Sequence, residues 1–333
     1  MILPQTNHDV AHCGAPRRNL VRPRQEDRTC AIAALFLSRL VITLLALAAW
    51  TGPVQAGPLF LPNASFESPV VPPVSPFAIP VLDAWQESPQ PGWYEPTNNY
   101  NTPWAYLVGT FYNVSSPGVF IDNCDGSQAS FLFAYPEVAI FQDSSSRFNV
   151  GSAYSLAVGV IGGVDGSPPL YIGATLQISL YYRDAASNMV TVATTTITNS
   201  PGLFPTNTHF VDFSVQVPGV LPTDLWANQT IGVQMASTVG TNLASGYWDL
   251  DNVRLTETVL PHLTNPQVMS NHFSLTVCSE PGLQFEVLAQ TNIASPLSAW
   301  TSLGIITNVS GTNAFSDPAT NINRRFYTMR QLP

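Results

Sequence analysis

Period-two alternation recurs through the middle of the chain and decides what it can fold into. Residues 154–161 (YSLAVGVI), 174–182 (ATLQISLYY) and 210–217 (FVDFSVQV) each alternate their side chains along an extended segment. In a strand, that pattern sends one set to a core and the other to the opposite face. Residues 189–197 (MVTVATTTI) are rich in β-branched side chains that suit a pleated surface. Residues 231–235 and 247–255 complete the series, and turn clusters such as 166–169 (GSPP), 183–188 (RDAASN) and 200–202 (SPG) separate its members. No segment of convincing length carries a helical period. The pattern predicts an all-β chain built as a sandwich or barrel.

Composition narrows the function classes. The 333 residues suggest two domains, and the 29 prolines and 21 glycines fit many turns. Only 10% of residues are charged and lysine is absent, which excludes P-loop and Schiff-base lysine chemistry. Beyond residue 56 the chain keeps six Arg against 18 Asp and Glu, a formal charge of −12. Such a surface repels phosphate backbones, so no nucleic-acid partner is expected.

Residues 40–50 (LVITLLALAAW) form an apolar run too short to span a bilayer. Arg28 and Arg39 precede it, and Val54-Gln55-Ala56 follows with the spacing of a signal-peptidase site. Residues 1–56 are therefore expected to be a signal peptide with an extended basic region. The product would be secreted, periplasmic or on the cell surface, with no membrane association after cleavage.

The expected domains are 57–258, a jelly-roll sandwich, and 259–333, a small β-sandwich-like domain. In the second, strands are expected at 273–278, 284–290, 300–306 and 325–329. Residues 57–120 are Pro-rich and aromatic-rich, and 70–80 (VVPPVSPFAIP) fits an extended linker or edge strand. Flat rings suit the C–H face of a sugar, which makes Trp93, Tyr100, Trp104 and Tyr106 candidate ligand-binding residues. Core packing is the competing role for each. Cys124 and Cys278 fit two separate buried thiols better than one disulfide.

Catalytic signatures are scarce. There is no G-x-S-x-G, H-E-x-x-H, Walker A or G-x-G-x-x-G pattern, and only His209, His262 and His272 follow the leader.

Three boxes in order carry a family resemblance: 62–69 (PNASFESP), 91–93 (PGW) and 248–255 (WDLDNVRL). Together they resemble the galactose-binding-like jelly rolls. That group includes carbohydrate-binding modules and the calcium-dependent indole-alkaloid cyclases. Residues 125–128 (DGSQ) resemble the segment entering a middle strand of those domains. The resemblance implies a structural calcium ion where the two ends of the domain meet, with Glu67 and Asp251 as carboxylate ligands. Asn63 and Asp125 would supply further oxygens, and Asp249 is a less certain ligand. Calcium needs six to eight oxygens. Residues 259–333 resemble a small β module appended to exported proteins of environmental bacteria.

The expected function is a non-catalytic, exported, calcium-stabilised sandwich that binds carbohydrate or another envelope ligand. One alternative is a cyclase-like enzyme on the same scaffold. In it a buried carboxylic acid, Asp249 or Asp212, protonates an apolar substrate. The other alternative is a structural surface or matrix protein without a small ligand.

Overall fold

The computed structural model describes residues 57–96, 102–114, 119–162, 169–204, 208–269, 272–318 and 324–333. The expected signal peptide lies outside these residues, as does Tyr100.

Twelve strands occupy residues 57–259. They are β1 (Gly57–Leu59), β2 (Ala78–Ile79), β3 (Gln86–Glu87), β4 (Val108–Tyr112), β5 (Gln128–Phe133), β6 (Ala139–Arg147), β7 (Ser152–Gly162), β8 (Thr175–Arg183), β9 (Met189–Thr198), β10 (Val211–Val217), β11 (Thr230–Ser237) and β12 (Tyr247–Val259). They form two antiparallel sheets. The larger runs β10-β7-β12-β5-β4-β2, with β1 added against the far end of β12. The smaller runs β3-β6-β11-β8-β9. Strand order jumps repeatedly between the sheets, as in a jelly roll.

Period-two burial explains the core. Along β7, Tyr154, Leu156, Val158 and Val160 are buried, as are Leu176, Ile178 and Leu180 of β8 and Ile231, Val233 and Met235 of β11. These belong to one hydrophobic cluster with Trp248 and Leu250 of β12. The expected strands sit where the alternation places them, within a few residues at their ends. The segment 125–128 does enter a strand, β5, whereas β3, β4 and β6 were not expected. In β6 the apolar start runs into Asp143-Ser144-Ser145-Ser146, where alternation in hydropathy lapses and the pairing to β11 shifts register before resuming at Arg147.

The first and last strands meet. Gly57, Pro58 and Leu59 pair with Glu257, Thr256 and Leu255. A register shift on β12 between Asp251 and Arg254, with Asn252 at φ 52°, bends that strand away from β5 and toward β1. The Val253 amide then donates to the Ala64 carbonyl at 2.9 Å.

Residues 262–331 form six further strands: β13 (His262–Met269), β14 (His272–Cys278), β15 (Gln284–Gln290), β16 (Thr301–Thr307), β17 (Thr312–Asp317) and β18 (Phe326–Gln331). They make two three-stranded sheets, β13-β14-β17 and β16-β15-β18. Strands β13 and β17 were not expected. The first is interrupted by Asn265-Pro266, with Asn265 at positive φ and a register shift between Thr264 and Gln267 that hides its periodicity. Cys124 and Cys278 are both free thiols.

Candidate active site

The site lies on the outer face of the larger sheet and begins with the alternation of β12. Trp248 and Leu250 point into the core, both fully buried. Tyr247, Asp249 and Asp251 take the opposite face. Strand pairing places Asp249 opposite Phe131 of β5 on one side and Ile161 of β7 on the other. Phe131 in turn sits opposite Gly109 of β4. Tyr247 faces Phe133, with ring centroids 5.8 Å apart, and Phe133 meets Phe131 edge-on at 6.1 Å.

These residues floor a cavity of about 500 Å³ whose walls include Phe77, Tyr106, Phe111, Phe131, Phe133 and Tyr247. Among the described residues, Asp249 is the one carboxyl in the lining, and no Lys, Arg or His contributes to it. Asp249 itself is 1% exposed. An acid on an aromatic wall, in a space sized for a small molecule, is an arrangement suited to proton transfer. Asp212, the other acid named for that role, is an exposed residue paired with Arg254 at 2.5 Å and is not part of the cavity lining.

The expected aromatic shelf is not assembled as a unit. Tyr106 is 55% exposed and lines the cavity. Trp104 is a core residue instead: its ring packs edge-on against Tyr94 at 4.9 Å, and its indole N–H donates to the Ser88 carbonyl at 2.7 Å. Trp93 is partly exposed and donates from Nε1 to Glu137 Oε1 at 2.9 Å. Neither tryptophan is a wall of the cavity.

Glu67 and Asp251 do meet at one rim, through the turn 124–128. Glu67 Oε1 accepts the amides of Ser127 and Gln128 at 2.8 and 2.7 Å, and Oε2 accepts the Ser127 hydroxyl at 3.0 Å. Asp251 Oδ2 accepts the Asp125 amide and Oδ1 the Asn252 amide, each at 2.6 Å. Gly126, at φ 108°, has no Cβ to obstruct this; one placed there would lie 2.4 Å from Glu67 Oε1. Burial pushes the Asp251 carboxyl up to about 7 despite the two amides, which act in the opposite sense. The Cys124 thiol beside it is also pushed up, first by burial and then by the Asp251 charge.

The implied calcium ion would need oxygens from these same residues. Asn63 spends its side chain on the backbone of Ser68 and on the Asp83 carbonyl. What Asp125 turns toward Asp251 is an N–H, and the atoms around Glu67 are donors as well. A cation needs converging oxygens, whereas this turn is a nest of amides of the kind that holds anions. Among the described residues, no three His, Cys, Asp or Glu side chains converge on a metal position. As arranged here, Glu67 and Asp251 are held by backbone donors, and the side chain of Asn63 is held within its own loop.

The sequence profile of the HpiC1-like family, described as HpiC1 cyclase, matches residues 57–256. Among solved structures, a cyclase from Fischerella sp. TAU is 18% identical, covering 62% of this chain and 99% of its own at a TM-score of 0.46. A Stig cyclase from the same organism, in complex with (3Z)-3-(1-methyl-2-pyrrolidinylidene)-3H-indole, is 18% identical at a TM-score of 0.46, covering 62% and 100%. A Clostridium thermocellum xylanase with its carbohydrate-binding module is 12% identical at a TM-score of 0.31, covering 57% and 28%. No curated protein matches the chain. The chain belongs to the HpiC1-like cyclase family. Membership overturns the expectation of a non-catalytic ligand-binding sandwich and favours the cyclase alternative.

Proposed function

We propose that this member of the HpiC1-like cyclase family closes a ring in an apolar, unsaturated substrate, with Asp249 as the proton donor. The observation that carries the reading is the placement of a single carboxyl on the aromatic wall of a cavity of about 500 Å³. A carboxyl on the wall of a cavity that admits a small molecule is placed to hand a proton to a bound substrate. The proton passes from the Asp249 carboxyl to a substrate alkene carbon and leaves a carbocation. An internal π bond attacks that centre, a carbon–carbon bond forms, and a proton returns from the ring-closed cation to the carboxylate. Substrate and product are isomers, and no oxidant or reductant is consumed.

The ring faces of Phe131, Phe133 and Tyr247 stabilise the positive charge through their quadrupoles. The lining has no cationic group, so an anionic substrate is disfavoured. Indole-bearing compounds are the first class to try, since two cyclase structures carry such ligands, the pyrrolidinylidene indole and 4-(1H-indol-3-yl)butan-2-one. The Arg-flanked apolar run of residues 40–50 supports an exported setting for this chemistry.

The test is incubation of the protein with a panel of alkene-bearing indoles, followed by chromatography for products of unchanged mass. Asp249→Asn is expected to lower turnover by about 10²–10⁴-fold, the usual worth of a general acid, without changing the melting temperature. Undiminished turnover in that variant would remove Asp249 from the role.

A further inference from the structure

Gly109, Phe131, Asp249 and Ile161 stand in one row across β4, β5, β12 and β7. Phe131 therefore has Gly109 on one flank and Asp249 on the other, each about 5 Å away across the sheet. A Cβ built on Gly109 would lie 2.6 Å from Phe131 Cζ and 2.7 Å from Cε1. The far edge of the ring thus fills the space that any other residue at 109 would need. The ring leans across β4 and away from β12, and that lean leaves Asp249 on the cavity wall. On the next strand over, the Ile79 carbonyl oxygen would lie 2.2 Å from the same Cβ. Ring and β2 together close over a position only glycine can hold.

We infer that Gly109 sets the size of substrate that can reach Asp249, acting through the tilt of Phe131. The meaning of the inference rests on the cyclase reading; the geometry does not. A side chain at 109 forces the ring back toward β12, over the acid, and shortens the cavity at its reactive end. Gly109 is then a specificity-determining residue that touches neither the acid nor the substrate.

The experiment measures calorimetric affinities for 4-(1H-indol-3-yl)butan-2-one and for indole, a smaller probe. It uses wild type, Gly109→Ala, Phe131→Leu and the double variant, and adds the contacts of the Phe131 ring protons by NMR. Gly109→Ala is expected to weaken the larger probe at least tenfold and indole less than threefold, with Phe131→Leu restoring the larger probe in the double variant. A folded Gly109→Ala protein with both affinities unchanged overturns the inference, as does a loss that Phe131→Leu leaves in place. Should the Ile79 contact prevent Gly109→Ala from folding, Phe131→Trp enlarges the ring while leaving Gly109 in place. The same selective loss in that variant supports the inference, and unchanged selectivity overturns it. If wild type binds neither probe, the cyclase reading fails while the ring contacts still decide the inference. New contacts from Phe131 to Asp249 in Gly109→Ala uphold it; an unmoved ring refutes it.

Discussion

Glu87 offers the sharpest test of how burial acts in this sandwich. It lies on β3 opposite Ile140, a core residue, so strand pairing turns its carboxyl toward the space between the sheets. Its Oε1 is buried without a hydrogen-bond partner among the described residues. Burial pushes the carboxyl from 4.5 up to about 7. The folded state therefore binds the proton more tightly than the unfolded chain. Its stabilising contribution is complete below the ordinary carboxylate range and is lost as pH rises through about 7. At 1.36 kcal/mol per pH unit, that interval has a ceiling of about 3 kcal/mol. Glu87 keeps partial contact with solvent, and screening brings the expected effect to about 1.5 kcal/mol. Glu87→Gln keeps the shape and removes the titration. Urea unfolding at pH 4.5 and pH 8 should give variant and wild type similar stability at the lower pH. At the higher pH the variant should be more stable by about 1.5 kcal/mol, or roughly 3–6 °C in melting temperature. A stability difference that does not change between the two pH values would refute the reasoning, because the carboxyl would then not be desolvated in the folded state.

Two further outcomes concern the rim. Gly126→Ala should destabilise the protein by more than about 2 kcal/mol in thermal melts, since it combines a positive φ with a Cβ 2.4 Å from Glu67 Oε1; an unchanged melting temperature would show that Glu67 is not seated on this turn. Chelation with EDTA should leave the melting temperature within about 2 °C, because Glu67 and Asp251 already take amide donors. A larger fall, reversed by calcium, would show a cation at the rim.

What was legible in the sequence follows from which forces are local. Strands β7, β8, β10 and β12 announce themselves because each buries alternate side chains against a single core. The meeting of the two ends of residues 57–259 was legible from the boxes 62–69 and 248–255, which the Val253 amide and the Ala64 carbonyl join. The cavity was not legible, because its floor is made of residues that alternate outward. Phe131 and Phe133 read as ordinary strand aromatics until pairing puts them beside Asp249 and Tyr247. A faint signal existed in 130–133 (SFLF), where apolar residues occupy both faces of one strand, so that neither face was meant for water. Trp104 misled for the opposite reason: aromatic density in an irregular segment marks a plug as readily as a platform.

Asp249 and Asp251 show why a motif alone could not assign the roles. They are two residues apart on one strand, share a face, and are both almost wholly buried. From sequence, Asp251 is assigned to an implied calcium ion, and Asp249 is both a less certain ligand and a candidate acid. Their surroundings separate them. Asp251 falls at the bend of β12, where the amides of Asp125 and Asn252 reach both its oxygens and tie the last strand to the 124–128 turn. Asp249 falls one repeat earlier, where β12 is still paired with β5 and the neighbours across the sheet are aromatic rings. Backbone amides tie Asp251 into the turn that closes the sandwich, whereas Asp249 stands on the wall of the cavity. The bend in β12 thus divides one acidic strand into a part that closes the sandwich and a part that lines the cavity.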